Sequence, residues 1–326
     1  MKNKILKIVL RVLLAIVLLI FTVLGVFSIG ERFVFWNFYH NSERHEPIPG
    51  LWEGYIPQGY TVLDSSTRLS CGYMSNGEAS RIYVTSGIND PVFVSMKKAD
   101  GSNYTGHTGG ISVYGDNVYI TAKTGCDIFS LSDILDGDGS AIQKDSVATI
   151  NDPAYCVING NMLYVGSFYR EGNYETPESH RLTTPAGDKN TAIISAYKLN
   201  SDTGKPYGSI PDYVYSTAGL AQGMTFTDDG RMIISTSYGF AKSHLFVYDI
   251  DKATVDNDGF DINGVKIPLI YLDSDCLTHD IVAPPMAEEI IYDSGIVYIM
   301  NESASMKYLF GKLTSGTHVY GYKLDQ

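Results

Sequence analysis

Gln58, His107, Asp152, Tyr155, Gln222 and Glu288 are the residues of this 326-residue chain whose types and spacing could do chemistry together. A carboxyl group and an imidazole can exchange protons, so Glu288 and His107 are the candidate acid and base. Two amides, a phenol and a second carboxylate would fix the orientation of a small ligand. A glycoside hydrolase would need a partner carboxylate ~5 Å away to retain configuration or ~6.5–9.5 Å away to invert it. Asp152 and Glu302 are the candidates. More polar side chains stand after the following apolar runs: Tyr169 with Arg170, then Ser237, Tyr238 and Lys242, then Asn301, Glu302, Ser303 and Lys307. The same groups also read as caps for exposed amides and trapped water. Glu302 with Lys307 also reads as a surface ion pair worth ~0–1 kcal/mol.

These residues act together only if the fold makes them converge, and an internal repeat says that it does. "GGISVYGDNVYIT" from Gly109 aligns without a gap on "EEIIYDSGIVYIM" from Glu288. "AYCVINGNMLYVG" from Ala154 fits the same frame, "QGMTFTDDGRMIIS" from Gln222 fits with one extra turn residue, and "QGYTVLDSSTRLSCGY" from Gln58 fits more loosely. Each copy is an apolar run, a turn of Gly, Asp, Asn or Ser, and a second apolar run, which is a β-hairpin signature. Third strand-like runs follow at 92, 128, 194, 245 and 318, and fourth ones at 212 ("DYVYST") and 268 ("PLIYLD"). Four-stranded units at this period predict an all-β fold, a five-bladed β-propeller over residues 51–326. A pair of β-sandwiches is the rival, and it would not need five similar hairpins. The last copy lacks an outer strand, and "PGLWEGYIP" (49–57) is the expected closing segment. The aligned starts of the inner strands are then Gln58, Gly109, Ala154, Gln222 and Glu288, facing one mouth of the ring. Gly59, Gly109, Gly110 and Gly223 beside them permit close approach.

The N-terminus predicts a membrane anchor. Lys2, Lys4, Lys7 and Arg11 precede an uncharged run from Val12 to Ile29, long enough to span ~30 Å of hydrocarbon. The charge bias puts the N-terminus in the cytoplasm and the rest outside. Phe33, Phe35, Trp36, Phe38 and Tyr39 read as an aromatic belt at the outer interface. A cleaved signal peptide is the alternative, but no A-x-A site follows the run. Residues 1–30 are thus the stub and anchor, and 31–50 a juxtamembrane linker. The lipid bilayer is the first expected partner and a cell-envelope ligand the second. Net charge −12 argues against nucleic acid.

Cys71, Cys126, Cys156 and Cys276 form no C-x-x-C pair, so neither zinc nor c-type haem is expected. Disulfides and buried free thiols are both open to them. "LDGDGS" (135–140) and "DNDGFD" (256–261) offer Asp136, Asp138, Asp256, Asp258 and Asp261. These are oxygen ligands of the kind calcium takes, in stretches that read as hairpin turns. No cofactor is expected, calcium being the one this chemistry admits. "REGNYETPESHRLTTPAGDKN" (170–190) reads as a surface loop inserted between the second and third strands of the third blade. G-x-S-x-G, H-E-x-x-H and P-loop patterns do not occur.

"IPQG" (56–59), "GHTGG" (106–110), "AQGMTFTDDGRMIISTSYG" (221–239) and "PPMAEE…NESASMKY" (284–308) together resemble a family of largely uncharacterised bacterial exported proteins. These carry P-Q-G, H-x-G-G, A-Q-G and P-P-M-x-E elements on a propeller-like chain. Their pattern has glycine after the last Glu, where this chain has Glu289. The resemblance implies the fold and an exported location, and no particular activity. The expected function is therefore ligand binding at the channel mouth: a small molecule, glycan or peptide. A carbohydrate-active hydrolase or lyase using Glu288 is one alternative. A protein-interaction platform on the rim and the 170–190 loop is the other.

Overall fold

The computed structural model describes residues 2–87, 89–137, 139–308, 311 and 316–324. Five antiparallel sheets form the five blades of a propeller. Their inner strands are Tyr55–Val62, Ile111–Tyr114, Tyr155–Asn159, Ala221–Phe226 and Ala287–Asp293. Each pairs with a second strand through the expected hairpin. In blade five that turn has positive φ at both Ser294 (52°) and Gly295 (87°), the type I′ geometry that matches strand twist.

The alternating apolar residues of each hairpin have one destination, the interface with the next blade. Leu69, Val94, Ile111 and Phe129 fill the first. Tyr119, Cys126, Cys156 and Val165 fill the second, and Tyr155, Ala221, Met224 and Met232 the third. Ile233, Leu245, Ile290 and Tyr320 fill the fourth, and Tyr55, Tyr60, Tyr298 and Met300 close the ring. No blade has a complete core alone, which is why the unit must repeat and close. All four cysteines are buried free thiols.

The ring closes one segment earlier than the sequence suggested. Ser42–Pro47 is the outer strand of blade five, antiparallel to His318–Lys323. Within "PGLWEGYIP", Leu51–Glu53 is a short 3-10 turn, and Tyr55 already begins the inner strand of blade one. Residues 42–47 therefore belong to the propeller and not to a linker. Other assignments also move. The third strand of blade one is Arg81–Ser86, which makes Val92–Lys97 its fourth. Val265–Tyr271, which takes in the "PLIY" of "PLIYLD", adds to blade three in parallel with Tyr213–Thr217, while Leu277–Ala283 completes blade four. The Asp-rich stretches are not hairpin turns. Leu131–Asp136 is a short helix, and Asp256–Asp261 lies in the strand Thr254–Ile262, where a bulge interrupts the pairing. Asp138 lies outside the described residues. Asp261 accepts from Gly264 N–H and pairs with Lys266, so its oxygens already have partners.

Helix α1 (Lys2–Val34) is long and apolar enough to cross a membrane. After Phe35 a second short helix follows, α2 (Trp36–His40). The aromatic belt divides here. Phe33 and Trp36 are exposed, but Phe35 and Phe38 are buried in the core between blades four and five. Phe38 stacks on Tyr322 and meets Tyr320 edge-on, both at 5.8 Å. Helical spacing separates the two sets, since residues three apart share a face. We expect Phe38→Ala to cost about 3–5 kcal/mol. A urea-unfolding comparison checks this, and a loss below ~1 kcal/mol would contradict the burial.

Candidate functional site

Three inner strands bulge at the same place. In blade one Gln58 has no partner between the Pro57–Gly72 and Gly59–Cys71 pairs. In blade four Gln222 has none between Ala221–Thr236 and Gly223–Ser235. In blade five Glu288 and Glu289 fall between Ala287–Asn301 and Ile290–Ile299. A bulge re-aims side chains out of the strict in–out alternation. The turns feeding two of these bulges hold bulky residues at positive φ, Leu220 (63°) and Met286 (64°), a strain that persists only where the surroundings impose it. Their carbonyls accept from Ser237 N–H (2.9 Å) and Glu302 N–H (3.0 Å), tying the bulges to the ends of the second strands.

The re-aimed groups meet at the mouth. Gln222 Nε2 donates to Glu288 Oε1 at 3.4 Å. Tyr73 Oη donates to Glu302 Oε1 at 3.2 Å, and Gln58 and Tyr308 also hydrogen-bond to Glu302. Lys307 Nζ donates to Tyr73 Oη at 2.7 Å and lies over the Tyr73 and Tyr308 rings. His107 stacks on Tyr73 at 5.0 Å. Glu288 is buried (3 % exposed) and, among the described residues, forms no ion pair. Its carboxyl is pushed well above the ordinary range, first by burial and then by the charges of Glu302 and Glu289. Glu302 is also raised by burial, against the pull of Lys307 and its hydrogen-bond donors. His107 keeps an exposed edge at the rim, yet the protein around its ring, and then Lys307, hold its pKa below the ordinary histidine value. The arrangement thus has a buried carboxyl that favours its proton, a second carboxylate among donors, and a weakly basic imidazole.

Below the mouth lies a residue that sequence reasoning did not select. Glu289 is 2 % exposed and reaches from blade five to the propeller axis. Its Oε2 accepts from Tyr60 N–H at 2.8 Å and Ile111 N–H at 2.9 Å, and Cys156 N–H also donates to the carboxyl group. One carboxyl therefore joins blades one, two and three to blade five. The glycines make the space for it. A Cβ on Gly59 or Gly110 would come within 2.9 Å of a Glu289 oxygen, and one on Gly223 within 2.7 Å of its Cα. Burial pushes the Glu289 carboxyl well up, opposed by its three backbone donors.

Of the residues expected from sequence, Gln58, His107, Gln222, Glu288, Glu302 and Lys307 are brought together. Three are not. Blade three has regular pairing from Tyr155–Gly166 onward, with no bulge, so Tyr155 turns inward and is buried in the core. Asp152 is exposed, and the group its charge acts on is His180 of the 170–190 insertion. Tyr238 lies under the Arg170 guanidinium (4.0 Å) in a separate cluster with Phe168. That insertion lies between Met162–Gly166 and Ala192–Lys198 as expected, with a small hairpin of its own. Tyr73 and Tyr308 were missed. Tyr73 is the last residue but one of the second strand of blade one, Thr67–Met74, so the reasoning that drew attention to Tyr238 and Glu302 would have found it. Among the described residues no group of three or more His, Cys, Asp and Glu could hold a metal ion.

No family model and no curated protein matches the chain. Solved structures do resemble it. One is the PQQ-bound aldose sugar dehydrogenase of Streptomyces coelicolor, with 14 % identity over 80 % of this chain and 78 % of that one, at TM-score 0.43. Another is the glutaminyl cyclase of Myxococcus xanthus, with 9 % identity over 80 % and 91 %, at TM-score 0.42. A third is a putative glucose dehydrogenase of Thermus thermophilus, with 11 % identity over 86 % and 98 %, at TM-score 0.41. Such distant likenesses carry nothing about activity.

Proposed function

We propose that this chain is a membrane-anchored, extracytoplasmic propeller that binds a small molecule, or the end of a glycan or peptide, at its mouth. One observation carries the reading. Bulges in three separate blades aim Gln58, Gln222 and Glu288 at one place, where Glu288 is buried and, among the described residues, its carboxyl has one long hydrogen bond, to Gln222. A carboxyl so placed is costly to the fold unless something else uses it. Tyr73 and Tyr308 add aromatic faces, and Glu302 and Lys307 add charges at the rim. The four positive charges ahead of the apolar helix support the outward orientation.

The test is a thermal-stability screen of the full-length protein against sugars, amino sugars and dipeptides. A true ligand at about 100 times its Kd stabilises by about 2.7 kcal/mol. The shift should vanish in Glu288→Gln. If no compound stabilises the wild type, or if the variant responds equally, the mouth is not a binding site.

A second reading has its own support. Glu288 and Glu302 are neighbouring carboxyls in unlike surroundings, the first buried and favouring its proton, the second held among donors. That contrast suits a general acid and its partner in glycoside hydrolysis or lyase chemistry. Turnover of a glycan by the wild type but not by Glu288→Gln would establish it. Binding without turnover leaves the first reading standing.

A further inference from the structure

We propose that the mouth takes its ligand through an aliphatic ammonium group, and that the side chain of Lys307 occupies the place of that group until the ligand arrives. The proposal rests on the binding function proposed above and deepens it by naming the chemical class of the ligand.

Lys307 already shows how such a group is held. Its Nζ lies 5.2 Å from the centroid of the Tyr73 ring and 5.0 Å from that of Tyr308, and it donates to Tyr73 Oη at 2.7 Å. An ammonium over aromatic faces is attracted by their π electrons. Yet Lys307 is an exposed residue, and among the described residues it forms no ion pair. Tyr73 Oη stands between it and Glu302, so the pair expected from sequence is bridged by a phenol. A flexible four-carbon stem lets the charged end swing away into water.

The rest of the mouth is short of donors. Gln58 Nε2 donates to Pro57 O at 2.9 Å, and Gln58 also hydrogen-bonds to Glu302. Gln222 Nε2 donates to Glu288 Oε1. With their N–H groups engaged, both amides keep their carbonyl oxygens as acceptors. The hydroxyls of Tyr73 and Tyr308 also bond to Glu302. The second oxygen of Glu288 accepts from nothing among the described residues. Of the groups gathered here only Lys307 is cationic, because His107 is held below the ordinary histidine value and is uncharged at neutral pH. A ligand carboxylate therefore meets two carboxyls and one lysine. A ligand ammonium meets unused acceptors and two aromatic faces. Beside Glu288 it also supplies the counter-charge that this buried carboxyl lacks, and the carboxyl's proton passes to solvent as the pair forms.

The test is a rescue. Lys307→Ala removes the ammonium and the outer carbons of the stem, which n-propylammonium can restore. The residue is exposed, so truncation leaves the core untouched. Full-length wild type, Lys307→Ala and Lys307→Met are titrated with n-propylammonium, n-propanol and propionate at equal ionic strength, and the unfolding temperature is read. Propylammonium should stabilise Lys307→Ala with a roughly tenfold tighter apparent affinity than wild type, whose site is open only while Lys307 is away. Propanol and propionate should shift none of the three. Lys307→Met loses the same charge but keeps a stem in the site, so it should show less of the gain. An equal gain in both variants would reduce the effect to general electrostatics and overturn the proposal. Propionate stabilising wild type but not Lys307→Ala would also overturn it, making Lys307 an anion-binding group while leaving the mouth a binding site. If no probe shifts any of the three, the ammonium class falls, and the screen of wild type against Glu288→Gln decides the binding function separately.

Discussion

Glu289→Ala should be the most damaging single substitution at the propeller axis, costing roughly 3–6 kcal/mol. The figure follows from what is orphaned. Three backbone N–H groups, of Tyr60, Ile111 and Cys156, donate to this one carboxyl. A buried donor left unsatisfied costs about 1–3 kcal/mol. The glycines that cradle the side chain leave a void that cannot collapse without moving blade backbones. Against a typical total stability of about 5–15 kcal/mol, such a loss threatens the fold. Glu289→Gln keeps the shape and one acceptor oxygen, so it should fall between the wild type and alanine. Urea unfolding of the three proteins checks the order. Equal stability of alanine and wild type would mean that water replaces the carboxyl at no cost, and that the axis is not pinned.

Glu289 also shows where sequence reading stops. The alignment of hairpins placed Gln58, Gly109, Ala154, Gln222 and Glu288 in one register, and the structure keeps that register. It was legible because a hairpin's pairing is set by its apolar alternation and its turn. Which way a side chain points at that register was not legible, because it depends on bulges that place two residues against one. Blades one, four and five bulge and present Gln58, Gln222 and Glu288. Blade three does not, and Tyr155 of the same stretch goes into the core. Likewise "ERFVFWNFYH" reads uniformly as interfacial aromatics until blade five supplies a cleft for Phe35 and Phe38. Closure by residues 42–47 was hidden for a related reason. "SERHEP" is polar, and a polar outer strand leaves no periodic mark.

Glu288→Gln should make the protein more stable at neutral pH, and the gain should grow as pH rises. In the unfolded chain this carboxyl titrates near its ordinary value of about 4.3. In the folded protein burial, and then the charges of Glu302 and Glu289, push it well up. Below the ordinary value both states hold the proton, and the native preference for the neutral form is fully expressed. As pH climbs past that value the unfolded carboxyl ionises first. The unfolded state then binds fewer protons, and wild-type stability falls until the folded carboxyl also ionises. For one group the slope is at most about 1.4 kcal/mol per pH unit. Glutamine mimics the protonated carboxyl and cannot ionise, so this group's share of the slope disappears while those of Glu289 and Glu302 remain. Unfolding curves for both proteins at pH 4, 5, 6 and 7 measure it. The two should coincide at the acid end and diverge above it; a gap that stays constant would remove the electrostatic argument. A gain in stability on removing Glu288 would mark it as a residue that the fold itself does not require, as the proposed ligand site needs it to be.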